Sequence, residues 1–101
     1  MRRLEWSRVA QRDLLETALY IAADSPKAAF ELELKVRSAA DDPAFMATGR
    51  KGRNGSSYEK LVPRTPYILV YTIRRIKTAE VIYILRLIHS ARDWTPGNWP
   101  K

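Results

Sequence analysis

Apolar residues recur at helical spacing through the first forty positions and alternate along much of residues 57–90, and that change of period organises the chain. Arg2 to Trp6 reads as a short strand. Ser7 then supplies an N-cap, and Ala10, Leu14, Ala18 and Ile21 mark one stripe of a helix over about Arg8–Ala23. Leu15, Leu19 and Ala22 are expected to widen that stripe. Asp24-Ser25-Pro26 ends this helix and starts another, because proline disfavours the α conformation in the residue before it and suits the first helical position. Ala29, Leu32, Val36 and Ala40 give the buried face of the second helix, about Pro26–Ala40, and so short a connection predicts a helical hairpin. Phe30 and Leu34 fall on its opposite side. They are expected to pack on neighbouring parts of the domain, the other reading being an exposed apolar stripe that awaits a partner.

Asp41-Asp42-Pro43 stops the second helix, and a loop rich in glycine and basic residues follows over 49–56. Three strands come next, at Ser57–Val62, Tyr67–Arg74 and Ala79–Ser90, with Arg75–Thr78 as a basic hairpin turn. In the last two strands both alternate sets are apolar, which predicts interior positions with cover on each face. In the third strand Val81, Tyr83, Leu85, Leu87 and His89 alternate with Ile82, Ile84, Arg86 and Ile88. The order β-α-α-β-β-β predicts an α+β fold, a helical hairpin packed on one face of a twisted, mostly antiparallel sheet. Residues 1–94 are expected to form one domain and 95–101, with Pro96, Gly97 and Pro100, an irregular tail.

Composition narrows the chemistry. The absence of cysteine among the 101 residues excludes a disulfide framework, a Cys-ligated metal and a thiol nucleophile, and one histidine leaves little for a metal site. No cofactor is expected. No apolar run approaches the ~20 residues of a membrane span, and no signal-like apolar region follows Arg2-Arg3, so a cytoplasmic protein is expected. Of the net charge of +7, residues 1–49 contribute seven basic and eight acidic side chains, a net −1, and residues 50–101 eleven and three, a net +8. A half that basic points to an acidic partner, nucleic acid or protein.

The basic loop Gly49-Arg50-Lys51-Gly52-Arg53 is neither a dinucleotide fingerprint nor a Walker A motif, since it follows a helix and enters a strand. Its glycines read as allowing unusual backbone angles, while Arg50, Lys51 and Arg53 are candidates to contact phosphates or carboxylates. His89, the only imidazole, is either a structural hydrogen-bonding residue or, with Arg86, Arg92 and Lys60, an acid–base group on a phosphodiester. Glu59 and Asp93 are its nearest carboxylates in sequence. Trp94 is expected to pin the tail to the core, with partner contact as the other reading.

Taken in order, Trp6-Ser7, Asp13-Leu14, Tyr20-Ile21-Ala22, Gly49–Arg53, Leu61-Val62, Pro66–Tyr71 and Ile84–Trp94 resemble the RelE/ParE superfamily of bacterial toxins. The resemblance implies the toxin half of a type II toxin–antitoxin module, of the kind that stabilises plasmids, held in a hetero-oligomer by a small ParD-like antitoxin with an acidic binding segment. Two chemistries are implied by the superfamily. The RelE branch cuts mRNA on the ribosome with clustered basic residues, here His89, Arg86, Arg92, Lys60 and Arg53. The ParE branch poisons DNA gyrase without catalysis. The ribonuclease branch resembles this chain less well: where it carries an Arg after the Tyr of the penultimate strand, this chain reads Tyr67-Ile68, and its last strand lacks a dense basic run. One missing charge at a phosphodiester transition state costs on the order of 10²–10³ in rate. The resemblance therefore favours ParE, with Arg50, Lys51, Arg53, Arg86, His89, Arg92, Trp94, Phe30 and Leu34 as candidates for antitoxin or target binding. A basic nucleic-acid-binding module without toxicity is a third reading.

Overall fold

The computed structural model describes residues 2–42, 46, 49–51 and 57–90, with Arg2, Arg50 and Lys51 described by their backbone. Its elements run β1 (Arg2–Trp6), α1 (Arg8–Ala22), α2 (Pro26–Asp41), β2 (Arg50–Lys51), β3 (Tyr58–Leu61), β4 (Tyr67–Ile76) and β5 (Ala79–His89). Ser7 caps α1 as the sequence predicts, and Ser25 caps α2. Ser7 Oγ accepts from the Ala10 N–H at 2.9 Å and Ser25 Oγ from the Ala28 N–H at 3.1 Å, and Pro26 opens α2.

The sheet order is β1-β5-β4-β3-β2, with β1 parallel to β5 and the other pairs antiparallel. Strands β4 and β5 are interior, as their two apolar faces require. Ala10 and Leu14 of α1 and Leu32, Val36, Ala39 and Ala40 of α2 meet Tyr67, Leu69 and Tyr71 of β4 and Ile82, Ile84 and Leu87 of β5 in one buried cluster. Two helices on one face of this sheet make the α+β fold.

Four expectations change. The loop over 49–56 contains strand β2, whose two residues pair with Tyr58 and Glu59; a pair is too short to show alternation. The β4–β5 turn is only Lys77-Thr78, because Ile76 still pairs with Ala79. Leu15 and Leu19 do not join the core but stand 59% and 62% exposed, and Phe30 and Leu34 are exposed at 63% and 50% rather than packed within the domain. At 100° per residue these four lie far round their helices from Leu14 and Val36, and no described segment covers them.

The fourth change is a β-bulge. Val70 pairs with Arg86 but Tyr71 with Ile84, so Leu85 is an extra residue. One inserted residue reverses the alternation beyond it. Ile82 and Ile84 thus share the helix-covered side with Leu87 and His89, not with Arg86 and Ile88, while Val81 and Tyr83 face the other way.

Candidate functional site

Asp13 of α1 holds Arg86 at the edge of β5. Strand β1 accompanies β5 only to Ile84, and beyond that point side chains of the β1–α1 junction take over its pairing role. Ser7 Oγ donates to the Leu85 carbonyl at 2.9 Å, and Asp13 Oδ2 accepts from the Leu87 N–H at 3.0 Å. The same carboxylate receives the Arg86 guanidinium in a fork, Nε to Oδ2 at 2.7 Å and Nη2 to Oδ1 at 3.1 Å. Hydrogen bonding from Asp13, opposed in part by burial, holds Arg86 above the usual guanidinium pKa. Arg86 is therefore a fixed cation, one-third exposed, with its charge answered from within the fold.

Sequence reasoning missed Asp13 as its partner and named Glu59 and Asp93 as the carboxylates near the basic set. The available signal was a carboxylate adjoining the buried Leu14 in the early turns of α1.

His89 stands edge-on to the buried Tyr67 ring, with centroids 5.3 Å apart. Lys60 pairs with Leu69 on β3, so the whole of β4 separates it from His89 on β5, a gap of about 9–10 Å between strands. Ile68, half-buried, pairs with Leu61 on one side and Ile88 on the other. The described residues thus leave Lys60, Arg86 and His89 dispersed, with an apolar residue at position 68. Arg50 and Lys51 lie on β2, whereas Arg53, Arg92, Trp94 and the 95–101 tail lie outside the described residues.

The two helices expose apolar side chains. Leu15 and Leu19 are one turn apart on α1, and Phe30 and Leu34 one turn apart on α2, all on the solvent side of the packed helices. Leu34 also borders an open cleft of about 330 Å³ between α2 and the β3–β4 turn, lined further by Lys35, Ser38, Ala39, Asp42, Pro63 and Arg64. An exposed aliphatic and aromatic surface beside two cations and one carboxylate suits an amphipathic segment.

Residues 4–94 match the family described as the ParE toxin of the type II toxin–antitoxin system, parDE. The chain belongs to the ParE toxin family. It is 34% identical over 94 residues to a protein named "Putative toxin Y4kP" of Sinorhizobium fredii, covering 92% of this chain and 93% of that one. Among solved structures it resembles one titled "Chromosomal ParDE TA system from P. aeruginosa", with a TM-score of 0.73 and 20% identity over 88% of this chain and 96% of that one. A second likeness, to the conserved protein HP0894 from Helicobacter pylori, has a TM-score of 0.53 and 21% identity over 90% and 97% of the two chains. These structural likenesses are of fold. As a ParE family member the chain is the toxin of a type II toxin–antitoxin system. Among the described residues no helix is long and apolar enough to cross a membrane, and no group of three metal-ligating side chains occurs.

Proposed function

We propose that this ParE family toxin acts in the cytoplasm on DNA gyrase and is neutralised by a small antitoxin bound to the helical hairpin. The exposed quartet Leu15, Leu19, Phe30 and Leu34 supports the antitoxin reading. Water-exposed surface of that kind is unfavourable unless covered, at about 25 cal/mol per Å². The cations Lys35 and Arg64 beside it, and the basic residues Arg50, Lys51, Arg53 and Arg92, suit the acidic side chains of the same partner.

Support for gyrase over mRNA comes from the family and from Arg86. A guanidinium paired with Asp13 is poorly placed to follow the charge that develops on a phosphodiester, and Ile68 offers no substitute. On the same preparation, gyrase supercoiling with trapping of cleaved DNA is expected to respond to the toxin, and ribosome-programmed mRNA cleavage is not. Efficient codon-specific cleavage with gyrase untouched would transfer the chain to the ribonuclease reading.

A further inference from the structure

The end of the sheet at the β4–β5 turn gathers cations from three elements. Arg2 and Arg3 open β1 opposite Glu80 and Val81, while Arg74 and Arg75 pair with the same two residues from β4, and Lys77 follows in the turn. Among the described side chains, four cations, Arg3, Arg74, Arg75 and Lys77, thus meet two carboxylates, and Arg3 pairs with Glu5 as Arg75 does with Glu80. On the face away from the helices, Arg3, Val81 and Arg74 form a single cross-strand row, and Val81 is only 1% exposed between the two long side chains. The Arg74 guanidinium lies 5.7 Å from the centre of the Tyr83 ring. Arg75 reaches toward Glu80 at 3.7 Å yet keeps 78% of its side chain in solvent.

One edge of the hairpin is open, while β1 flanks the other as far as Glu80. Strand β3 pairs with β4 only as far as Tyr71, so Thr72–Ile76 run roughly 16 Å further without a described strand on that edge. At the tip Ile76 is half exposed between Arg75 and Lys77. Lys77 has φ 55°, a left-handed conformation that costs an L-residue about 1–2 kcal/mol and glycine almost nothing. A strained cation beside an exposed aliphatic side chain is a costly way to close a turn.

We propose that this hairpin end contacts duplex DNA, with Arg3, Arg74, Arg75 and Lys77 on backbone phosphates and Ile76 against the base pairs. Apolar side chains flanked by cations wedge between the base steps of duplex DNA from the minor groove. An acidic peptide would pair with the cations but would leave Ile76 without a function. None of these residues belongs to the helical surface assigned to the antitoxin, so the inference stands apart from that reading.

The test is binding of the full-length chain to a 20-base-pair DNA duplex of mixed sequence, read by fluorescence anisotropy between 50 and 200 mM KCl. Four phosphate contacts predict a slope of log K against log salt of about −3 to −4. The variant Arg74→Ala/Arg75→Ala is expected to flatten the slope by about 2, and the charge-preserving Arg74→Lys/Arg75→Lys to retain it. Ile76→Ala should weaken binding several-fold with the slope unchanged. Circular dichroism melts confirm that each variant is folded. Three results would overturn the proposal: no binding at 50 mM KCl, a slope unaltered in the double alanine variant, or equal affinity for duplex RNA or polyglutamate through the same residues.

Discussion

Tyr71 occupies the space that a side chain at Gly49 would need. A Cβ on Gly49 would stand 1.8 Å from the Tyr71 hydroxyl oxygen and 2.7 Å from Cζ. The tyrosine cannot readily move. It is fully buried, its O–H donates to the Met46 carbonyl, and its ring stacks on Tyr58 at 5.7 Å. The glycine opening the basic loop is thus explained by close approach to a side chain. Met46 and Gly49 are both seated against β4 through Tyr71.

Gly49→Ala is accordingly expected to destabilise the fold by about 2–3 kcal/mol, the scale of an overpacked core site. For a chain of this size that lowers Tm by on the order of 10 °C or more. Tyr71→Phe alone loses the hydrogen bond to the Met46 carbonyl, about 1 kcal/mol. Combined with Gly49→Ala it should recover part of the first loss, because the atom nearest the new Cβ is gone. A double-mutant cycle by thermal melting measures this coupling, and strict additivity would show that the two positions do not meet.

The Asp13 carboxylate satisfies a backbone donor and a guanidinium together, and its two roles separate by substitution. Asp13→Ala orphans both the Leu87 N–H and Arg86, at a cost of about 2–3 kcal/mol for partly buried groups. Asp13→Asn keeps an acceptor for Leu87 but removes the charge, and should cost about half as much. Hydrogen exchange at the Leu87 amide distinguishes the variants: faster in Asp13→Ala and near wild type in Asp13→Asn. Equal exchange in both would mean that the strand does not depend on this side chain.

Much of this architecture is legible in the sequence because it follows from local rules. Ser7, Ser25 and Pro26 fix the helix starts, and the dense β-branched runs fix β4 and β5 as interior strands. What is not legible depends on contacts distant in sequence. The bulge at Leu85 leaves an ordinary alternating pattern in place while turning His89 to the helix-covered side. Asp13 and Arg86 lie 73 positions apart, and nothing local pairs them. Leu15 and Leu19 fit the edge of a buried stripe as well as the edge of an exposed one. Their burial depends on how far the sheet extends beneath α1, which periodicity does not report.

The exposed quartet carries a prediction about partner binding. Leu19→Glu and Phe30→Glu place charges where both wild-type side chains are already in solvent, so each should alter stability by no more than about 0.5 kcal/mol. Antitoxin affinity should fall at least 10-fold for either and further for the pair, measured by titration calorimetry. Expressed beside its antitoxin, the double variant should escape neutralisation and slow growth. Unchanged affinity would remove the helical hairpin from the interface.

His89 supplies the sharpest separation of a packing role from a catalytic one. Its ring meets Tyr67 edge-on, a contact worth about 0.5–1.5 kcal/mol beyond area burial, and phenylalanine can keep that geometry whereas alanine cannot. His89→Phe should therefore keep the ring contact and retain growth inhibition and gyrase inhibition together. His89→Ala should lower Tm by several degrees, with gyrase inhibition preserved below its melting transition. Removing a proton-transfer group makes the opposite prediction, because general acid–base catalysis contributes typically 10²–10⁴-fold and neither variant can supply a proton. Growth inhibition lost equally in both variants, with His89→Phe fully folded, would restore the imidazole to the chemistry and with it the ribonuclease reading. Retained inhibition by His89→Phe places the residue in the fold and leaves toxicity to binding surfaces alone.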